Sequence, residues 1–238
     1  MRKKVFTIYY TQSEKDLLER IARETNQELV KSLNEFTKNP TDFSLVLFTG
    51  GADVDPKLYN DTSPLEFCSC NPARDHIEKM VFNTAKKNGV RMAGICRGIQ
   101  FLNVMCGGKL MHHIESHAGS LHPITTIHNS KEIVVNSLHH QMILPTSDTI
   151  VTAITPRKFS KVYIGFGDKK VDYKGPEIEG AIFPEVESFG VQYHPEMMQK
   201  GTEGREYFMS MAKDAITIKS FKLFMEKYGK KDVKYISN

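Results

Sequence analysis

No apolar run in the chain is long enough to span a bilayer as a helix. The amino terminus carries Arg2-Lys3-Lys4, but the apolar run Val5 to Tyr10 is too short for a signal peptide, and polar Thr11-Gln12-Ser13-Glu14 follows. Four cysteines are present without a C-x-x-C pair, and Cys68-Ser69-Cys70 is too tight for a usual zinc half-site. A reducing, cytoplasmic setting is therefore expected, with no disulfide and no membrane partner. The Gly-rich nucleotide fingerprint is missing, so the chain is not expected to activate an acceptor by itself. Repeats and low-complexity segments are absent too, which favours a single domain over residues 1–238. The formal charge of +4 is small for 238 residues. Lys227, Lys230, Lys231 and Lys234 gather beyond the last apolar helical pattern and read as a solvated tail, so nucleic-acid binding is not expected.

What remains is ordinary globular material: 40% hydrophobic and 25% charged residues. A core of useful size is available without a metal or disulfide staple. Residues 4–10 read as a first strand, and Ser13 as the cap of a helix carrying Leu17, Leu18 and Ile21. A second strand is expected over 28–33. Ser44 to Phe48 is a buried strand closed by Thr49-Gly50-Gly51. Asn71-Pro72 opens a helix whose apolar face carries Ile77, Met80, Val81 and Ala85, and Gly89 stops it. Alternating strands and helices imply an α/β fold of three layers, with a mostly parallel sheet between helices. Beyond Gly107-Gly108, short strand-like pieces predict a small antiparallel excursion, and a helical stretch over 206–228, as one helix or two, closes the chain.

The segment Arg91 to Gln100 is the most informative. Met92 to Ile95 reads as a buried strand, and Ile99, Phe101, Leu102 and Met105 continue at helical spacing. Between them, Gly94-Ile95-Cys96-Arg97-Gly98 is a strand-to-helix elbow. Its glycines let the helix pack close to the strand, and the cysteine stands at the sheet's carboxyl edge, on a helix amino end that favours thiolate. The plainer reading is a buried core cysteine.

A cysteine nucleophile requires a base, and the base an orienting group. Of nine histidines, His194 in Gly190-Val191-Gln192-Tyr193-His194-Pro195-Glu196 is the best candidate. Val191 to Tyr193 reads as a strand, so His194 and Glu196 would project to the same side, about 6.6 Å apart. Oxyanion donors are expected from the backbone N–H groups of Arg97 and Gly51. His112, His113, His117, His122 and His128 lie in a polar stretch with irregular spacing, and no metal or other cofactor is expected there. His139-His140 follows a strand directly, which suits either a hydrogen-bonding role at a sheet edge or plain solvent exposure.

The elbow and the distant His-Pro-Glu resemble the two hallmark motifs of the class I glutamine amidotransferase superfamily, a flavodoxin-like fold. The passages Phe48 to Tyr59, Arg74-Asp75, Leu102 to Leu110 and Val135 to Gln141 most resemble its gamma-glutamyl hydrolase branch, which includes gamma-glutamyl-gamma-aminobutyrate hydrolases. The resemblance covers roughly residues 44–198. It implies a Cys96–His194–Glu196 triad hydrolysing a gamma-glutamyl amide through a thioester. It also implies a small gamma-glutamyl substrate or glutamine, with Gln100 contacting the glutamyl part and Ser137, His139 and His140 forming the wall at its charged end. A glutaminase subunit feeding ammonia to a separate synthetase shares that chemistry, and a silent scaffold of the same fold is the third reading. Residues 155–176, rich in lysine, depart from the family pattern where a second substrate part or a partner would be read.

Overall fold

The computed structural model describes residues 3–61 and 66–229. Lys230, Lys231 and Lys234 fall outside the described residues. Lys227 belongs to the last helix and pairs with Asp214 at 2.5 Å rather than opening a solvated tail.

Strands β1 (Lys4–Phe6), β2 (Glu28–Val30), β3 (Phe43–Phe48) and β4 (Arg91–Ile95) build the parallel half of the main sheet. Helices α1 (Gln12–Glu24), α2 (Leu33–Lys38), α3 (Pro72–Lys87) and α4 (Arg97–Met105) connect or follow them. β1 and β2 are shorter than their apolar runs suggest. Helix α1 begins at Thr11 rather than Ser13, because Thr11 and Glu14 close a reciprocal capping box that satisfies two free N–H groups.

The second half contributes β5 (Lys109–Met111), β6 (His113–Ile114), β7 (Ala118–Thr126), β8 (Lys131–Leu138), β9 (Met142–Leu144), β10 (Ile150–Ile154), β11 (Tyr163–Ile164), β12 (Ile178–Phe183) and β13 (Ser188–Val191). Two helices close the chain, α5 (Glu203–Thr217) and α6 (Phe221–Tyr228). The nine-stranded sheet runs β2-β1-β3-β4-β13-β12-β10-β7-β8. It is parallel as far as β13 and antiparallel beyond it, so the antiparallel part is far larger than a small excursion. Strand β7 runs through what reads as a polar histidine stretch: alternation puts His122, Ile124 and Thr126 inward and leaves Leu121 exposed.

The same alternation divides the core into two layers. Leu45 and Leu47 face α1, α5 and α6 on one side; Val46 and Phe48 face α2, α3 and α4 on the other. On α3 the expected apolar stripe is only half right. Met80 is exposed, whereas Arg74, Asp75 and Glu78 are buried with Val81, Phe82 and Ala85. Charged residues hold that face because they pair there, as described below.

Close backbone approach fixes the elbow. A Cβ on Gly98 would lie 2.1 Å from the Phe48 carbonyl oxygen, and one on Gly94 would lie 2.4 Å from the Gly98 carbonyl carbon. Neither obstacle is a flexible side chain. Gly98→Ala is therefore expected to cost at least about 2 kcal/mol in urea unfolding. A loss below about 0.5 kcal/mol would mean that the β3–α4 contact yields easily.

Candidate active site

Cys96 ends β4 and begins α4 with φ 51° and ψ −107°, a conformation side-chain-bearing residues rarely adopt. Its N–H donates to the Val191 carbonyl at 2.9 Å, tying the elbow to β13. The residue is 8% exposed, enough for the sulfur to reach the adjacent pocket. The other thiols are different. Burial pushes Cys68 and Cys106 up to about 12, so both stay protonated at neutral pH.

His194 lies three residues beyond the end of β13. The strand stops at Val191, earlier than the apolar run suggests. A short 3-10 turn over Pro195–Met197, not extended chain, then brings Glu196 back to the ring. His194 Nδ1 and Glu196 Oε1 are 2.5 Å apart. The other side of the imidazole bonds to the Cys96 side chain. Burial alone would lower the His194 pKa. Hydrogen bonds to Cys96 and Glu196, with the charges of both, outweigh that cost and raise it from 6.5 to about 10. Gly50 packs on this pair: a Cβ there would lie 2.8 Å from His194 Cε1 and 3.9 Å from Cys96 Cβ.

The backbone of His194 is held from the antiparallel half. The Asn136 amide on β8 donates to the His194 carbonyl and accepts from its N–H, both at 2.9 Å. Arg205 on α5 donates to the carbonyls of Glu196 (3.4 Å) and Met198 (2.6 Å).

The turn after β3 is braced as tightly. Arg74 donates to the carbonyls of Thr49 (3.0 Å) and Gly50 (2.9 Å). Glu14 on α1 accepts the Gly50 N–H at 3.2 Å. Gly51 has φ +137°, and a Cβ on it would meet Arg74 Nη1 at 2.3 Å, so this position requires glycine. The Arg97 side chain points away from the pocket into a buried pairing with Asp75 and Glu78, and Glu78 also accepts from Arg74 at 2.9 Å. Arg97 thus anchors the first turn of α4 while its backbone borders the site. Asp75 further accepts the Asp55 N–H at 3.0 Å.

A cavity of about 200 Å³ opens between these parts, lined by Gly51, Ala52, Asp53 and Ser69, by Cys96, Arg97 and Gln100, and by residues 138–141. The Gln100 amide donates to the Gln141 carbonyl (3.3 Å) and to Gln192 Oε1 (3.4 Å). His140 lines the cavity and pairs with Asp53 at 3.3 Å, and that hydrogen bond raises its pKa. His139 borders the cavity too, but its ring is buried and turned toward Glu179. The Ser137 hydroxyl is fully buried and lies outside the cavity lining. The structure therefore brings Cys96, His194, Glu196, Gly51, Arg97, Gln100, His139 and His140 to one edge of the sheet.

Sequence reading assigns no role to Asn136, Glu14, Arg74, Glu78 or Arg205, although Arg74 and Asn136 lie in passages that carry the family resemblance. Arg74 and Glu78 carried the one available signal, an i,i+4 opposite-charge pair on a helix face that is otherwise apolar. Residues 155–176 hold Lys158, Lys161 and Lys170 around a separate cavity of about 510 Å³. Among the described residues, the histidine stretch that gave no metal signal yields one group able to hold a cation: His117, His122, His139 and Glu179.

A profile of the Peptidase C26 family matches residues 41–126, from β3 through the elbow to β7. The glutamine amidotransferase-like protein YvdE of Lactococcus lactis is 34% identical over 117 residues, covering 41% of this chain and 50% of YvdE. Protein NtpR of Enterococcus hirae is 25% identical over 174 residues, 64% of this chain and 66% of NtpR. The fold matches a glutamine amidotransferase from Thermotoga maritima with a TM-score of 0.57 at 16% identity, over 95% of this chain and 90% of that one. Residues 41–126 are thus similar to the Peptidase C26 family, and the chain as a whole has the fold of solved glutamine amidotransferases. Its fold also matches the glutaminase domain of Trypanosoma brucei CTPS with bound acivicin, with a TM-score of 0.54 at 12% identity, over 99% of this chain and 97% of that one. The chain spans about half the length of YvdE. Among the described residues, no helix is long and apolar enough to cross a membrane.

Proposed function

We propose that this chain is a class I glutamine amidotransferase superfamily member that hydrolyses a gamma-glutamyl amide through a gamma-glutamyl thioester on Cys96. One observation carries the reading: the His194 imidazole bonds the Cys96 sulfur on one side and Glu196 on the other, beside a cavity bordered by Gly51 and Arg97. The sulfur attacks the side-chain carbonyl carbon. The N–H groups of Gly51 and Arg97 receive the developing oxyanion. The His194 imidazolium gives its proton to the nitrogen as the C–N bond breaks, and the amine leaves. Water then attacks the thioester, His194 takes up its proton, and glutamate is released with Cys96 regenerated. Gln100, Ser137, His139 and His140 belong to the substrate side of the site in this reading: Gln100 and His140 line the cavity, while Ser137 and the His139 ring lie behind its wall.

Two readings share the chemistry. A self-contained hydrolase releases an amine directly, and a glutaminase subunit passes ammonia to a separate synthetase. The passages that resemble the hydrolase branch favour the first, and the missing nucleotide fingerprint means that in the second the synthetase is another polypeptide. Glutamate release from glutamine and from a panel of gamma-glutamyl amines tests both. Turnover that rises sharply on adding a synthetase identifies the subunit. No turnover of any of them, alone or with cell extract, would leave a scaffold.

His194 also sets a pH expectation. Its folded pKa is raised, so its contribution to stability is fully present below 6.5 and is lost as pH rises through about 10. The imidazolium that protonates the leaving amine disappears over the same range. The alkaline limb of kcat/KM should therefore fall near 10. Glu196→Gln, which removes the charge but keeps the shape, should retain part of the activity, since the carboxylate orients rather than reacts. It should also move that limb toward lower pH. A Glu196→Gln limb at the wild-type position would show that the carboxylate does not act through the ring.

A further inference from the structure

Behind the pocket wall, three imidazoles converge on one carboxylate. His117 precedes β7, His122 lies on β7, His139 follows β8 and Glu179 sits on β12. All four are buried. Glu179 Oε1 lies 3.5 Å from His117 Nδ1, 3.6 Å from His122 Nε2 and 3.5 Å from His139 Nε2. None of these atoms makes a hydrogen bond of acceptable geometry, and neither does the second Glu179 oxygen. Buried polar atoms left in this way call for an occupant.

The spacing indicates which occupant. Ligand atoms about 2.0–2.1 Å from a tetrahedral zinc ion stand about 3.3–3.4 Å from one another. Separations of 3.5–3.6 Å are close to that edge and long for hydrogen bonds. All four donor atoms lie within 4.8 Å of one another.

The far side of each ring is also arranged for a metal. His139 Nδ1 sits 2.9 Å from the Gln141 carbonyl, His122 Nδ1 sits 3.2 Å from the Pro123 carbonyl, and His117 Nε2 sits 3.2 Å from Glu177 Oε2. The two carbonyls hold a proton on the outer nitrogens of His139 and His122 and so turn their inner lone pairs to the centre, while Glu177 lies beside the outer nitrogen of His117. This is the outer-shell pattern that orients metal-binding histidines.

We propose that His117, His122, His139 and Glu179 bind one divalent transition-metal cation, with zinc the best match to the three-nitrogen, one-oxygen donor set. Four protein ligands close the coordination sphere, so the ion is structural and carries no reacting water. It joins β7, β12 and the segment after β8, and so steadies residues 139–141 of the pocket wall. The proposal stands independently of the Cys96 chemistry.

The test is metal analysis of untagged protein purified without chelator, followed by stripping and titration with Co²⁺. Close to one zinc per chain is expected. Stripped protein given Co²⁺ should show the intense visible absorption of four-coordinate cobalt, abolished by added Zn²⁺, and its melting temperature should rise with either ion. His122→Ala and Glu179→Gln should each lower metal retention after dialysis by about tenfold or more, while Cys96→Ser should leave it unchanged. Unfolding of the wild type on chelation, reversed by Zn²⁺, would equally support the site. The proposal is overturned if wild-type protein retains no metal, gives no cobalt band and shows no thermal shift. It is also overturned if both ligand variants keep the metal of the wild type, which would put the ion elsewhere.

Discussion

Replacing Cys96 by alanine should abolish glutamate release and leave the protein folded. The expected loss is at least about 10⁴-fold, because no neighbouring group can take over the covalent step. Fold and chemistry separate here for a structural reason. The elbow is imposed by the close passage of Gly94 and Gly98 and by the N–H of residue 96 on the Val191 carbonyl, and alanine keeps all three. Alanine bears the same Cβ as cysteine, so it meets the positive φ at a similar cost. Thermal melting should therefore shift by only a few degrees. Residual turnover near a tenth of wild type would show that another group is the nucleophile. A melting temperature lower by tens of degrees would attribute the loss to unfolding instead.

Removal of the Arg97 guanidinium should have the opposite profile, with a large cost in stability and a smaller one in chemistry. Arg97, Asp75, Glu78 and Arg74 form a buried set of two cations and two anions. Arg97→Met leaves Asp75 without its cation and Glu78 with Arg74 alone. Breaking such a pair from one side costs about 3–5 kcal/mol, since a carboxylate stays buried without compensation. Burial already raises the Asp75 pKa even with Arg97 present. A carboxyl with a raised folded pKa favours folding in its protonated form, so the penalty should be largest well above that pKa and shrink as pH falls. Urea unfolding of variant and wild type at about pH 8 and about pH 5 would measure this. A difference under about 1 kcal/mol at the higher pH, or one that widens in acid, would refute the account. The residue 97 N–H survives the substitution, so surviving folded molecules should retain kcat better than they retain stability.

The parts of this molecule legible in its sequence are those governed by local rules. The elbow, the Asn71-Pro72 helix start and the apolar run of β3 each follow from a few adjacent residues. The pairing of His194 with Glu196 was legible because they are two residues apart, although the backbone joining them is a 3-10 turn rather than the extended chain expected. Long-range polar contacts were not legible. Asn136 sits in β8 with no local sign that its amide grips a backbone 58 residues away. The burial of Asp75 and Glu78 depends on Arg97, which lies on another helix. His117, His122, His139 and Glu179 come from three separate segments, so no spacing rule for metal ligands detects them. Strand β7 was hidden because its histidines read as polar until their burial is known.

The two-point hold of Asn136 on His194 also orders events during synthesis. The cysteine elbow leaves the ribosome well before Asn136, and His194 follows later still. The sheet cannot close until β13 slots between β4 and β12. On the proposed chemistry, a nascent chain therefore carries its sulfur through the synthesis of 98 residues, from 96 to 194, without the ring that makes it useful. On that reading, the order of residues along the chain keeps unfinished polypeptides from cleaving glutamine before the sheet has closed.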